Sequence, residues 1–142
     1  MPAARFRPAR AAVALSALVL LATGCAAATE AADTAKTAAN TAEVCAKATA
    51  EITSSFAEIT KLAQQADIGN AQRDLATELR SLHERLRPLA EKAADADVMS
   101  SLQALDTAVA GWADDPTTFV RTDQDRIDQL IGAVTKACTP GN

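Results

Sequence analysis

The sequence predicts an all-α domain, an up-down-up-down four-helix bundle that follows a cleaved leader and an Ala/Thr-rich tether. Three observations predict it. The chain is rich in alanine and holds only five glycines in 142 residues, a composition that leans helical. Its apolar residues recur at steps of three and four, the period of a helix face, in four separate stretches. Short segments carrying Asp, Asn, Gly and Pro join those stretches, and short connections favour antiparallel neighbours. With no Tyr, three Phe and one Trp, the interior must be built mainly from aliphatic side chains.

Residues 1–24 read as a secretory leader. Arg5, Arg7 and Arg10 precede an apolar run from Ala11 to Leu21, which ends in small residues at a cysteine. A charged n-region, a short h-region and a small-residue cleavage site make a signal peptide. The run is too short for a permanent membrane span, which needs roughly 18 apolar residues.

The stretch Leu20-Leu21-Ala22-Thr23-Gly24-Cys25 resembles the lipobox of bacterial lipoprotein precursors. The resemblance implies that Cys25 is S-diacylglycerylated and becomes the first residue of the mature chain, on the extracytoplasmic face of the cell membrane. Ala22 departs from the family pattern, which most often has Leu three residues before the cysteine. Taken as a whole, the chain is similar to small alanine-rich envelope lipoproteins of high-GC actinobacteria, a likeness that carries no site residue beyond Cys25.

Removing residues 1–24 leaves 118 residues, enough for one domain. It also removes three arginines, so 11 Lys and Arg remain against 18 Asp and Glu, a net charge of −7 where the precursor has −4. That balance speaks against nucleic acid, whose phosphates call for a clustered basic surface.

Residues 25–41 hold the lipidated cysteine and the tether. From Ala26 to Thr41 the residues are almost all Ala, Thr, Glu, Asp, Lys and Asn, with no large apolar side chain to dock. Such a segment is at best a marginal helix in water. The predicted domain covers 42–142. Its first helix carries Cys45, Ala48, Ile52, Phe56, Ile59 and Leu62 or Ala63 on one stripe. Gly69 suits the position past its end, and Asn70 suits the cap of the next helix. The second helix has the clearest seam, Leu75, Leu79, Leu82, Leu86, Leu89 and Ala93. Pro88 lies inside it and either kinks or breaks the helix; the unbroken apolar phase favours one kinked helix.

Asp95 and Asp97 offer caps for a third helix with Val98, Leu102, Leu105, Val109 and Trp112 on its seam. Asp114-Asp115-Pro116 ends it. Thr117 to Arg121 reads as irregular, with Phe119 and Val120 folded under the end of the bundle. Thr122 caps the fourth helix, Asp123 and Asp125 supply its acidic first turn, and Ile127, Leu130, Ile131, Val134 and Cys138 form its stripe.

Once Cys25 is assigned to lipid, Cys45 and Cys138 remain as a pair in an exported chain, which predicts a structural disulfide. In an up-down-up-down topology both cysteines lie at the same end. A loop of roughly 90 residues gives such a bond about 4 to 5 kcal/mol in the chain-entropy model.

Chemistry is harder to place. His83 is the single histidine and position 80 is Arg, so the paired Glu-x-x-His motifs of helical di-iron sites are missing. His83 reads as an ordinary, partly exposed helix residue. Arg73, Arg80 and Arg87 recur every seventh residue, but Glu84 and Glu91 follow two of them by four, so the stripe reads as a solvated, ion-paired face. Asp123, Asp125 and Asp128 lack the glycine and glutamate of a calcium loop and read as helix-start acids. Trp112 and Phe119 are the residues most suited to ligand contact, although such rings more often fill a core. No cofactor or metal is expected.

The sequence therefore points to a non-enzymatic, membrane-anchored helical module whose partner is another envelope protein. The alternative is an extracytoplasmic small-molecule binder with a cavity near Trp112 and Phe119. An enzyme ranks third, since no paired catalytic groups can be placed.

Overall fold

Leucines at steps of four and three put one continuous apolar line along a helix, and that line organises the interior. In the computed structural model, which describes residues 24–65, 70–122 and 124–139 and side chains from Thr29 onward, it belongs to α2, Ala71–Lys92. Before it runs α1, Gly24–Gln64. After it come α3, Ala96–Asp114, α4, Pro116–Arg121, and α5, Gln124–Ala137. Every regular element among the described residues is helical. The chain divides into two units, Met1–Thr34 and Ala35–Asn142. In the first, the described residues are helical, and those from Thr29 on are exposed. The second holds the core.

Leu75, Leu79, Leu82 and Leu86 of α2 have no exposed surface, and neither do Val98, Leu102, Leu105 and Val109 of α3. Burying each such side chain contributes about 1.5 to 3 kcal/mol. α2 packs along α3, and α3 in turn packs on α5 and α4. α1 adds Val44, Ala48, Ile52 and Ile59 to the same core, and α5 adds Ile127, Leu130 and Val134.

Pro88 stays inside α2, which is one helix through that residue. Beyond it the buried position is Ala90 rather than Leu89, which is only partly buried with Ala93. A helix of 3.6 residues per turn drifts against a strict seven-residue repeat, so the seam predicted through Leu89 moves by one residue. On α1 the centre of the stripe likewise differs from expectation. Ser55 is 2% exposed, while Phe56, Leu62 and Ala63 are partly buried.

Residues 26–41, the predicted tether, lie within α1, as alanine propensity permits, and Asn40 is bonded to the end of α2. Two expectations further along the chain are corrected. Thr117 to Arg121 is not irregular but helical. Asp115 caps α4 by accepting from the Thr117 backbone N–H at 3.1 Å, and Pro116 stands at its first position, where a missing N–H costs nothing. Phe119 is buried by this turn, whereas Val120 points outward at 48% exposure.

The caps divide. Asp95 takes the N-cap of α3, accepting from the backbone N–H groups of Asp97 and Val98 at 3.0 Å each. Asn70 occupies the N-cap position of α2 without a side-chain cap bond. Thr122 donates its hydroxyl to the Thr118 carbonyl at 2.6 Å and so closes α4. Gly69 and Asp123 lie outside the described residues, as do residues 1–23 with the predicted leader.

Candidate functional site

Cys45 and Cys138 are joined, with an S–S distance of 2.04 Å and Cα atoms 5.6 Å apart. The bond ties the buried stripe of α1 to the residue that follows α5. Close to Cys45 in sequence, Asn40 makes a reciprocal contact with the end of α2. Its Nδ2 donates to the Lys92 carbonyl at 3.0 Å, and its Oδ1 accepts from the Ala94 N–H at 2.8 Å. Lys92 is the last residue of α2, where carbonyls have no intrahelical partner, so α1 supplies the missing cap. One turn on, Glu43 accepts from Lys47 Nζ at 2.6 Å. That hydrogen bond and the Lys47 charge, with a smaller contribution from Lys92, hold the Glu43 carboxyl below its ordinary range. Cys25 falls within the bounds of α1, but its side chain lies outside the described residues.

A half-buried polar cluster lies between α1 and α2. Arg85 Nη2 donates to Ser55 Oγ at 2.7 Å and to Glu78 Oε1 at 3.1 Å. Arg85 Nε is 3.2 Å from Glu51 Oε2, close enough for an ion pair. Its N–H is nevertheless misaligned with the carboxylate, and Nε is buried without a hydrogen bond. Two carboxylates therefore converge on one guanidinium, whose fork also reaches the one buried polar side chain among the described residues of the core.

His83 is a partly exposed helix residue, as the sequence suggests, and it has a partner on α3. Its Nδ1 lies 2.7 Å from Asp106 Oδ1, joining α2 to α3, with the imidazole 29% and the carboxylate 16% exposed. Each of the pair follows a fully buried leucine, Leu82 and Leu105, by one residue. Arg85, Glu51 and Glu78 each precede a buried seam residue, Leu86, Ile52 and Leu79, in the same way. Polar residues beside a seam are thus the sequence signal for both clusters, although spacing alone does not say which of them meet.

Trp112 and Phe119 do come together, edge to face with ring centroids 5.2 Å apart. Phe56 closes the group at 6.5 Å from Phe119. Trp112 and Phe119 are each 6% exposed, so these rings pack mainly on one another. A separate cleft of about 330 Å³ is lined by Leu62, Gln65, Asn70, Ala71 and Asp74, residues near the end of α1 and the start of α2. On the arginine stripe, Arg87 Nε pairs with Glu91 at 3.2 Å, as its spacing predicts. Asp128 accepts from the Gln124 side chain at 3.0 Å. Among the described residues no group of three or more His, Cys, Asp or Glu is placed to hold a metal ion, and no helix is long and apolar enough to cross a membrane.

Compared with protein-family models, curated proteins and solved structures, the chain matches none of them.

Proposed function

We propose that the chain is a lipoprotein of the bacterial cell envelope. In this reading residues 1–24 are removed, Cys25 carries a diacylglyceryl group, and the helical domain acts at the extracytoplasmic face of the membrane as a non-enzymatic interaction module. The long helices α1, α2, α3 and α5 form an up-down-up-down four-helix bundle with α4 as a short insert. The observation that carries the anchoring is the leader ending in Ala22-Thr23-Gly24-Cys25. A disulfide in the domain fits export, since such bonds persist in oxidising compartments. Two acyl chains on one residue give stable anchoring, where one gives marginal binding. The partner is another envelope protein. Met99 and Val120 are the large apolar side chains exposed among the described residues, so recognition is mainly polar.

Mass spectrometry of the protein extracted from membranes should find a diacylglyceryl mass on an N-terminus that begins at Cys25. An unmodified N-terminus further along, with the protein released to the medium, contradicts the anchor. In a loss-of-function assay Cys25→Ala should impair the role while the domain folds normally, and His83→Ala should do little. The reverse result in a stably folded protein would point to catalysis.

A further inference from the structure

We infer that the Arg85 cluster sets the register of α1 on α2, and that in doing so it brings Cys45 within bonding reach of Cys138, so that the bond forms quickly and in good yield. The inference rests on the helix contacts alone and stands whether or not Cys25 is lipidated.

The apolar seams do not by themselves choose a register. α2 presents leucines at 75, 79, 82 and 86, and α1 presents Ala48, Ile52 and Ile59. Sliding one helix along the other by a turn, about 5.4 Å, still sets apolar residues against apolar residues. The Arg85–Glu78 contact lies within α2 and survives that slide, but the contacts of Arg85 with Ser55 and Glu51 of α1 do not. A shift of α2 by three or four residues brings Ser81, Leu82, Pro88 or Leu89 to the place of Arg85. None of these offers a cation to Glu51 or a donor fork to Ser55, which is 2% exposed. A shift of seven brings Glu78, a like charge against Glu51, or Lys92. The Lys92 register retains one ion pair but sets Ala93 where Leu86 packs, and the ammonium is a single point charge where Arg85 sets Nη2 on Ser55 and Nε beside Glu51. Leaving the buried Ser55 hydroxyl unanswered is costly, and a polar contact set among apolar seam residues is a known means of specifying helix register.

The thiols read that register. Cys45 lies on the same helix as Ser55, ten residues earlier, so whatever fixes Ser55 along α2 fixes Cys45 too. Disulfides form across Cα separations of about 4.4 to 6.8 Å, and here the separation is 5.6 Å. A one-turn slip moves Cys45 by about 5.4 Å, nearly as much again as its present separation from Cys138. The reaction itself is ordinary exchange. One protein thiolate attacks a small-molecule disulfide and expels a thiolate, and the second protein thiolate displaces the other half. Two protein thiols are oxidised, and one small disulfide is reduced to two thiols.

The test is oxidative refolding of the full chain carrying Cys25→Ser, reduced and denatured, then diluted into mixed reduced and oxidised glutathione. Peptide mapping without reductant follows the Cys45–Cys138 bond against glutathione adducts and intermolecular bonds. Arg85→Met should lower both the rate and the yield of the correct bond several-fold. Ile52→Val, which trims the same helix without touching the cluster, should stay near the parent. Glu51→Gln keeps the packing and should fall between them, which keeps the test open if Arg85→Met does not fold. Parent-like oxidation of Arg85→Met or of Glu51→Gln overturns the inference, as does an equal loss in Ile52→Val.

Discussion

The two helices that meet at Arg85 are held in place by different means. α2 lies against α3 through four fully buried leucines on its own side and four fully buried aliphatic residues on the other. α1 brings a thinner stripe of Val44, Ala48, Ile52 and Ile59 interrupted by Ser55, and adds contacts that work at one position only: the disulfide, the Arg85 contact with Ser55 and the Asn40 clasp. Apolar area is strong and indifferent to small shifts, whereas polar and covalent contacts are narrow in geometry and decide where the area is applied. Stability in α2–α3 should therefore respond to lost volume, and in α1 to lost partners.

The largest effect is expected from Leu82→Ala. A fully buried leucine removed from a packed seam costs about 3 kcal/mol, so denaturant unfolding should move to a markedly lower midpoint. Asn40→Ala should cost about 1 kcal/mol, the net worth of a hydrogen-bonded contact, and hydrogen exchange should rise at Ala94, whose N–H loses its acceptor. Parent-like exchange there would remove Asn40 from the account of α1. Gly111 sits within α3 with open space where a Cβ would stand. Gly111→Ala should therefore stabilise by about 0.5 to 1 kcal/mol, seen as a higher melting temperature, and widen the gap between the regions.

The smallest effect concerns Glu43 on α1. Its carboxyl is held below the ordinary range in the folded chain, chiefly by the Lys47 hydrogen bond. A depressed folded pKa means that this contribution is present above the unfolded pKa and fades as pH falls through the folded one. Glu43→Gln should thus narrow the stability difference between neutral and acidic solution slightly. Because the pair is exposed, added salt should weaken it. A pH profile identical to the parent's would show that the pair contributes nothing.

What the sequence discloses follows the same division. Leucines at helical spacing read out directly, because burial acts on every residue of the face, and all five seam residues predicted for α3 are buried. The disulfide was legible from the count of cysteines and their two ends. Asn40 was hidden because it stands among alanines and threonines, and its partners are backbone atoms more than fifty residues away. Ser55 was hidden because a serine on a stripe carries no mark of burial until Arg85 answers it. His83 and Asp106 stand beside their seams on separate helices, and only the packing of α2 on α3 brings them to 2.7 Å. α4 is not legible as a helix because six residues are too few to show a period. Its capping by Asp115 with Pro116 next was the available signal.

The most direct test of the comparison is native-state hydrogen exchange with the Cys45–Cys138 bond intact and after reduction by a dithiol. Once the bond is cut, the contacts that remain on α1 are its interrupted stripe and the polar clasps. Protection should fall first and furthest in α1 from Ala35 to Gln64, while Leu75 to Leu86 and Leu102 to Val109 keep most of theirs. An equal loss of protection in all three stretches would contradict the account, because it would mean that α1 is held by the same apolar packing as the rest.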